Sequence, residues 1–237
     1  MIELNKIYNL DCVDLMKLME KESVDLICAD PPYGISSKSL LAPSKYSGYK
    51  SEKGDWDYID NYEEFSIGWT NAVDRVAKNN ATIYVFGAFT SLIPVYNNLN
   101  SLGWKFHCGI VWTKPNPAPS VHRRTYTNAC ELILCMSKGK NWKYNYYVAK
   151  QFNFGKQLTN VWRAASVRKV AGCVVKPTKL LETMIAVSSD IGDVVFDPFI
   201  GTGTTAVVAK SLGRKFIGSE KDSDRCLFAV NRLEEVI

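Results

Sequence analysis

Val194–Glu220 reads VVFDPFIGTGTTAVVAKSLGRKFIGSE, and no other stretch limits the fold so tightly. A β-rich run, Asp193–Phe196, ends at a turn that holds Gly201 and Gly203. A helix is expected near Thr204–Leu212 and a second strand at Lys215–Gly218. Strand, glycine turn, helix and strand in so short a span form the repeating unit of a parallel sheet. The glycines let backbone approach a ligand where a Cβ would collide. Glu220 stands 17 residues beyond Gly203, at the end of the second strand. A carboxylate there can bind the two hydroxyls of a ribose, and the site would lie beyond the carboxyl ends of the strands.

The rest of the chain keeps this rhythm. Val24–Cys28, Ala81–Phe86, Phe106–Trp112 and Glu131–Met136 read as strands. Cys12–Lys21, Tyr62–Lys78, Pro177–Ser189 and Asp222–Glu235 read as helices. A chain of 237 residues, 46% hydrophobic and 22% charged, suits one globular α/β domain. The expected fold is Rossmann-like: a mostly parallel sheet with helices on both faces. Two stretches break the pattern. Ser36–Asp60 is rich in Ser, Tyr, Lys and Gly and is expected to be a mobile loop, with a clamp as its role. Lys114–Val175 is basic and aromatic and is expected to be an insertion. Its aromatic residues from Trp142 to Trp162 read mainly as the core of that insertion.

Charge and cysteine usage narrow the class. Lys105–Lys179 carries fourteen Lys or Arg and a single acid, Glu131, for a local charge of +13. The whole chain is only +5, so the remainder carries −8. Solvation alone would use both signs, so a polyanion is the expected partner. No leader and no membrane-spanning run is expected, which points to the cytoplasm. The seven cysteines lie mostly in apolar runs, with no C-x-x-C and only two histidines. Reduced buried thiols are expected, and no metal site. His107 lies in an expected strand and reads as structural.

Two segments carry chemistry. Taken alone, the glycine loop also fits a dinucleotide site, with NAD as the ligand. Asp197 opposes that reading, because a carboxylate directly before the loop would repel a pyrophosphate. It suits instead the ammonium of an amino-acid-bearing nucleoside, and S-adenosylmethionine is the cofactor with that combination. The second segment, VDLICADPPY, delivers Asp30, Pro31, Pro32 and Tyr33 to the end of a strand. Two prolines fix φ and make the turn rigid. Asp30 and the Pro31 carbonyl can accept the two N–H hydrogens of an aromatic amine, and Tyr33 can stack on its ring. An amine inside duplex DNA is reachable only when its base is flipped out.

These segments, in this order, resemble the amino-group DNA methyltransferases of the permuted β group, most of all short bacterial or phage adenine methyltransferases. The matching stretches are LDCVDLMKLMEKESVDLICADPPY, the Ile110–Leu134 region with its "HRR", KPTKLLETMI and DPFIGTGTT. The resemblance implies a class I methyltransferase fold and the catalytic residues Asp30, Pro31, Pro32 and Tyr33. It implies cofactor contacts from Asp11, Cys12, Asp30, Lys176, Asp197, Phe199, Gly201, Gly203, Thr204, Thr205 and Glu220. It makes Lys114–Val175 the target-recognition region, where Lys114, Asn116, His122, Arg123 and Arg124 are the expected DNA contacts. The family's His-Pro-Thr-Gln before Lys-Pro is replaced here by Gly172-Cys173-Val174-Val175.

The expected activity is therefore methyl transfer from S-adenosylmethionine to adenine N6 in double-stranded DNA. Cytosine-N4 of DNA and adenine of RNA are the alternative acceptors. An NAD-linked oxidoreductase leaves Asp197 and the basic region unexplained, and a binding module without catalysis leaves Asp30–Tyr33 unexplained. The expected partner is double-stranded DNA in a bacterial or phage-infected cell. A homodimer and a cognate restriction endonuclease are further partners that the resemblance admits.

Overall fold

The computed structural model describes residues 2–34, 57–117, 124, 126–167 and 175–235. Eight strands form one sheet: β1 (Lys6–Asn9), β2 (Val24–Ala29), β3 (Ala77–Gly87), β4 (Lys105–Thr113), β5 (Cys130–Ser137), β6 (Val161–Arg163), β7 (Val194–Asp197) and β8 (Lys215–Glu220). Their order across the sheet is β1-β8-β7-β2-β3-β5-β4-β6. Both neighbours of β5 pair with it antiparallel, and all other pairs are parallel. Among the described strands β5 alone therefore runs against the rest. The fold is the expected Rossmann-like one.

Seven described helices cover the sheet: α1 (Cys12–Leu18), α2 (Tyr62–Val76), α3 (Phe89–Ser101), α4 (Tyr146–Gln151), α5 (Thr178–Ser188), α6 (Thr204–Ser211) and α7 (Ser223–Glu234). The strand period of two divides the core between the faces. In β2, Leu26 and Cys28 join a cluster with Leu181, Met184 and Ile185 of α5, Ala206 of α6 and Ala229 of α7. Ile27 and Ala29 face the other way, onto Leu15 and Met16 of α1, Trp69 and Val73 of α2, and Leu99 of α3. Burial on both faces explains why β2 is apolar almost throughout.

The structure adds elements that the pattern hid. α3 buries Ser91, Val95 and Leu99 at a four-residue spacing, but Pro94 and three asparagines break its apolar signal. β1, β6 and α4 are only 4, 3 and 6 residues long. The expected insertion, Lys114–Val175, contains β5, its apolar CELILCMS segment, threaded between β3 and β4 where a strand was expected at Glu131–Met136. Its VWR segment extends the sheet as β6, beside β4. The loop expected at Ser36–Asp60 lies outside the described residues, apart from Asp57–Asp60.

One topological feature positions a site. From β2 the chain moves to β3 on one side; from β7 it moves to β8 on the other. β2 and β7 are adjacent and parallel, with Ile27 opposite Phe196. The crevice beyond their carboxyl ends is the switch point where open α/β sheets bind ligands.

Candidate active site

The end of β2 delivers Asp30 and the rigid Pro31-Pro32-Tyr33 turn. Tyr33 N–H donates to Asp57 Oδ1 at 2.7 Å, which fixes the turn from outside. The Tyr33 hydroxyl lies 3.0 Å from Asp30 Oδ1 and 3.2 Å from Glu131 Oε2. Lys176 sits among all three, 3.0 Å from Asp30 Oδ2, 3.3 Å from Glu131 Oε2 and 3.2 Å from the Tyr33 oxygen. Its ammonium also lies 5.2 Å from the Phe86 ring centre and 5.5 Å from that of Tyr33, within cation–π range. The other oxygen of Glu131 accepts from Lys114 at 2.5 Å. Burial alone would lower Lys176, but Asp30 and Glu131 outweigh it and hold the ammonium above its ordinary pKa. Burial would raise Glu131, but Lys176 and Lys114 keep it below the usual carboxylate range. Burial, then the Asp30 and Glu131 charges, push the Tyr33 phenol well up, so it stays a proton donor.

The end of β7 delivers Asp197. Its two oxygens accept from Phe199 N–H at 2.9 Å and from the Thr205 hydroxyl at 2.5 Å. No ion pair reaches it among the described residues. Burial, reinforced by Asp30 and Glu220, raises its pKa to about 7. Gly201 and Gly203 take φ of 53° and 83°, the left-handed region that favours glycine. A Cβ at Gly203 would also crowd Ala229 of α7, at 3.1 Å. Gly201 N–H donates to Glu220 Oε2 at 3.0 Å, tying the loop to the end of β8. Burial raises the Glu220 carboxyl too, against partial offset from the Asp222 N–H and Arg225.

The two ends share one cleft, lined by Asp30 and Lys176 on one side and by Asp197, Phe199, Gly201 and Thr205 on the other. Thr204 lines it as well, held by Arg232 at 3.0 Å. Phe199 is wedged edge-on against Trp69 at 5.5 Å. Asp11 caps α1 through Val13 N–H at 2.9 Å, and Leu10 N–H bonds the Glu220 carbonyl, so Asp11 joins the same edge. Cys12 is buried beneath it in the core, which pushes its thiol up to about 12. Pro31 is buried within the turn. Among the expected DNA contacts, Asn116 and Arg124 are exposed. Lys114 is turned inward to Glu131 and over Trp112. His122 and Arg123 lie outside the described residues, as do Gly172, Cys173 and Val174.

Sequence reading missed Glu131 as a site residue, although a signal was available: it is the single acid in the basic segment. The basic segment itself divides. β5 runs backwards, so its end at Ser137 lies beside Thr82 near the opposite edge of the sheet. There Lys138 pairs with Asp74 at 3.1 Å, and Lys143 with Asp193 and Asp190 at 2.5 and 3.1 Å. These lysines neutralise acids of the negative remainder, away from the cleft. The aromatic cluster also divides. Trp142 stacks on His107 at 4.2 Å and Trp162 packs against the core, but Tyr147 and Phe154 are exposed.

The N6/N4 "DNA methylase" family model matches residues 24–231. Type II methyltransferase M2.DpnII of Streptococcus pneumoniae is 38% identical over 235 residues, covering 94% of this chain and 87% of the relative. Type II methyltransferase M.HinfI of Haemophilus influenzae is 34% identical, covering 98% and 69%. Among solved structures, the M1.HpyAVI–SAM complex aligns with a TM-score of 0.73 and 24% identity, over 96% of this chain and 98% of the other. The cytosine-N4-specific PvuII DNA methyltransferase aligns with a TM-score of 0.75 and 18% identity, over 96% and 85%.

Proposed function

The chain belongs to the N6/N4 DNA methylase family, and from that membership we propose that it methylates adenine N6 in double-stranded DNA, with S-adenosylmethionine as donor and the base flipped out of the duplex. The observation that carries the proposal is the shared cleft, which sets the Asp30 turn facing the buried Asp197. The residues fit the donor. Asp197 is a buried acid with no ion-pair partner among the described residues, so a cationic ligand would relieve the cost of ionising it. Gly201 and Thr205 offer close backbone and a hydroxyl beside it, and Glu220 and Asp11 close the far edge for ribose and base. The donor supplies the methyl group.

The chain's own residues prepare the acceptor. Both Asp30 oxygens are already engaged, but an ionised carboxylate has about four lone-pair sites. Asp30 and the Pro31 carbonyl take the two amine hydrogens and turn the nitrogen lone pair toward the donor. Tyr33, tethered through its hydroxyl, offers its ring to the base. The fold does not separate adenine from cytosine, given the likeness to a cytosine-N4-specific enzyme. Asp30 at the head of the turn favours adenine, since the family resemblance links a serine there to cytosine-N4.

DNA lies across the carboxyl edge of the sheet, held by Asn116, His122, Arg123 and Arg124, with Lys114 engaged instead by Glu131, residues 114–175 contributing recognition and 36–60 the clamp. A cognate restriction endonuclease fits the Type II relatives, and a homodimer and a cytoplasmic location belong to the same proposal. No described helix is long and apolar enough to cross a membrane. Mass spectrometry of nucleosides from DNA of expressing cells tests the reading. N6-methyladenine at one sequence motif is expected; N4-methylcytosine, or no methylated base, overturns it.

A further inference from the structure

Glu131 does not line the cleft, yet it holds three side chains beside it: Tyr33, Lys176 and Lys114. It stands at the second position of β5, opposite Trp112 and one residue from the Leu132–Gly87 pair at the end of β3. Because β5 is reversed, its beginning reaches the edge where parallel strands end. One Glu131 oxygen faces both the Tyr33 hydroxyl and Lys176, and the other binds Lys114. The group of Asp30, Glu131, Lys114 and Lys176 is then electrically neutral.

We infer that Glu131 is a positioning residue for methyl transfer, acting through Lys176: it takes a share of the ammonium that would otherwise fall wholly on Asp30. The inference rests on the cleft being the methyl-transfer site. As its bond to the methyl carbon forms and the donor's sulfur–carbon bond breaks, with the bonding pair left on sulfur as a neutral thioether, the amine nitrogen spends its lone pair and carries a positive charge until one of its protons leaves to water. Asp30 must stay a good acceptor toward that nitrogen. A lysine aimed only at Asp30 competes for the same oxygens and adds an uncompensated charge beside the reacting atom. Glu131 also gives the Tyr33 hydroxyl a second anchor, which sets the ring angle.

Three variants test this: Glu131→Gln, Lys176→Met and the double. Turnover is measured at saturating DNA and cofactor, cofactor affinity by calorimetry, and folding by thermal melting. Glu131→Gln should lower kcat at least about tenfold and leave cofactor affinity within about threefold. The double variant should be no more than about threefold slower than the worse single variant, because residues acting as one unit are not additive. If wild type methylates DNA and Glu131→Gln matches its kcat, or if the two losses multiply, the inference falls while the reading of the cleft stands. If wild type transfers no methyl group to DNA, that reading fails and takes the inference with it. Should Glu131→Gln not fold, Glu131→Asp decides: kcat within about fivefold of wild type supports the charge role, and a deeper loss overturns it.

Discussion

The two halves of the cleft treat their acids differently. At the β2 side, Asp30 and Glu131 are matched by Lys176 and Lys114. At the β7 side, Asp197 is buried with only N–H and O–H donors, and its pKa climbs to about 7. A balanced half suits a neutral reactant, because any net charge there would have to be desolvated. An unbalanced acidic half suits a cation. In the proposed function, the neutral nucleobase therefore belongs on the Asp30 side and the sulfonium-and-ammonium cofactor on the Asp197 side. On that reading stability is given up for function, since a lone buried acid costs the ligand-free fold.

The largest expected effect comes from removing the acid on the balanced side. Asp30→Ala should lower methylation by about a thousandfold or more, while cofactor affinity changes by only a few fold. Single-turnover assays with labelled methyl donor, run beside calorimetry, measure both. Loss of cofactor binding equal to the loss of turnover would erase the distinction between the halves.

Next in size is the unbalanced side. Asp197→Asn should weaken cofactor binding by about a hundredfold, since an amide cannot balance a cation. The same change should raise the melting temperature of the ligand-free protein at pH 8. The sign follows from the raised pKa. Asp197 contributes stability that is fully present below its unfolded value near 4 and is lost as pH rises through about 7. The loss over that window is roughly 4 kcal/mol, and the asparagine avoids it. Calorimetric melts of both proteins at pH 5 and pH 8 check this; a variant that is equally destabilised at both would contradict it. A smaller effect follows in wild type: cofactor affinity should rise from pH 6 to pH 8 as Asp197 ionises, by at most about tenfold per unit below pH 7. A flat profile would mean that the cation is held elsewhere.

Much of this was legible from residues. The glycine turn with Asp197 and Glu220, and the Asp30–Tyr33 turn, each follow a strand whose apolar run is unambiguous, so their shared edge follows from parallel topology. α3 was not legible, because Pro94 and three asparagines dilute its apolar stripe, and the few residues of β6 carry no period at all. Glu131 was visible as an exception in a basic segment, but its function depends on β5 running backwards. Strand direction is a tertiary fact that no local pattern encodes. The same reversal carries Lys138 and Lys143 to acids at the far edge, so the basic segment is not one continuous positive face.

That division yields the smallest and most discriminating effect. Lys138 and Lys143 are each held by carboxylates, whereas Arg124 is exposed on the segment leading into β5. A phosphate neutralised by a basic side chain releases counterions, and each such contact adds about 0.9 to the slope of log affinity against log salt. Arg124→Ala should therefore lower that slope by about 1 and weaken all DNA sequences alike, if it contacts backbone. If it reads a base edge, it should instead cost roughly 1–3 kcal/mol at one position of the site. Lys143→Ala should change neither quantity, because its charge is already spent on Asp190 and Asp193. Fluorescence anisotropy with a duplex, titrated from low to moderate salt, separates the two variants. A slope that falls for Lys143→Ala and holds for Arg124→Ala would place the DNA on the amino edge of the sheet, remote from Asp30, and the base could not reach the cleft.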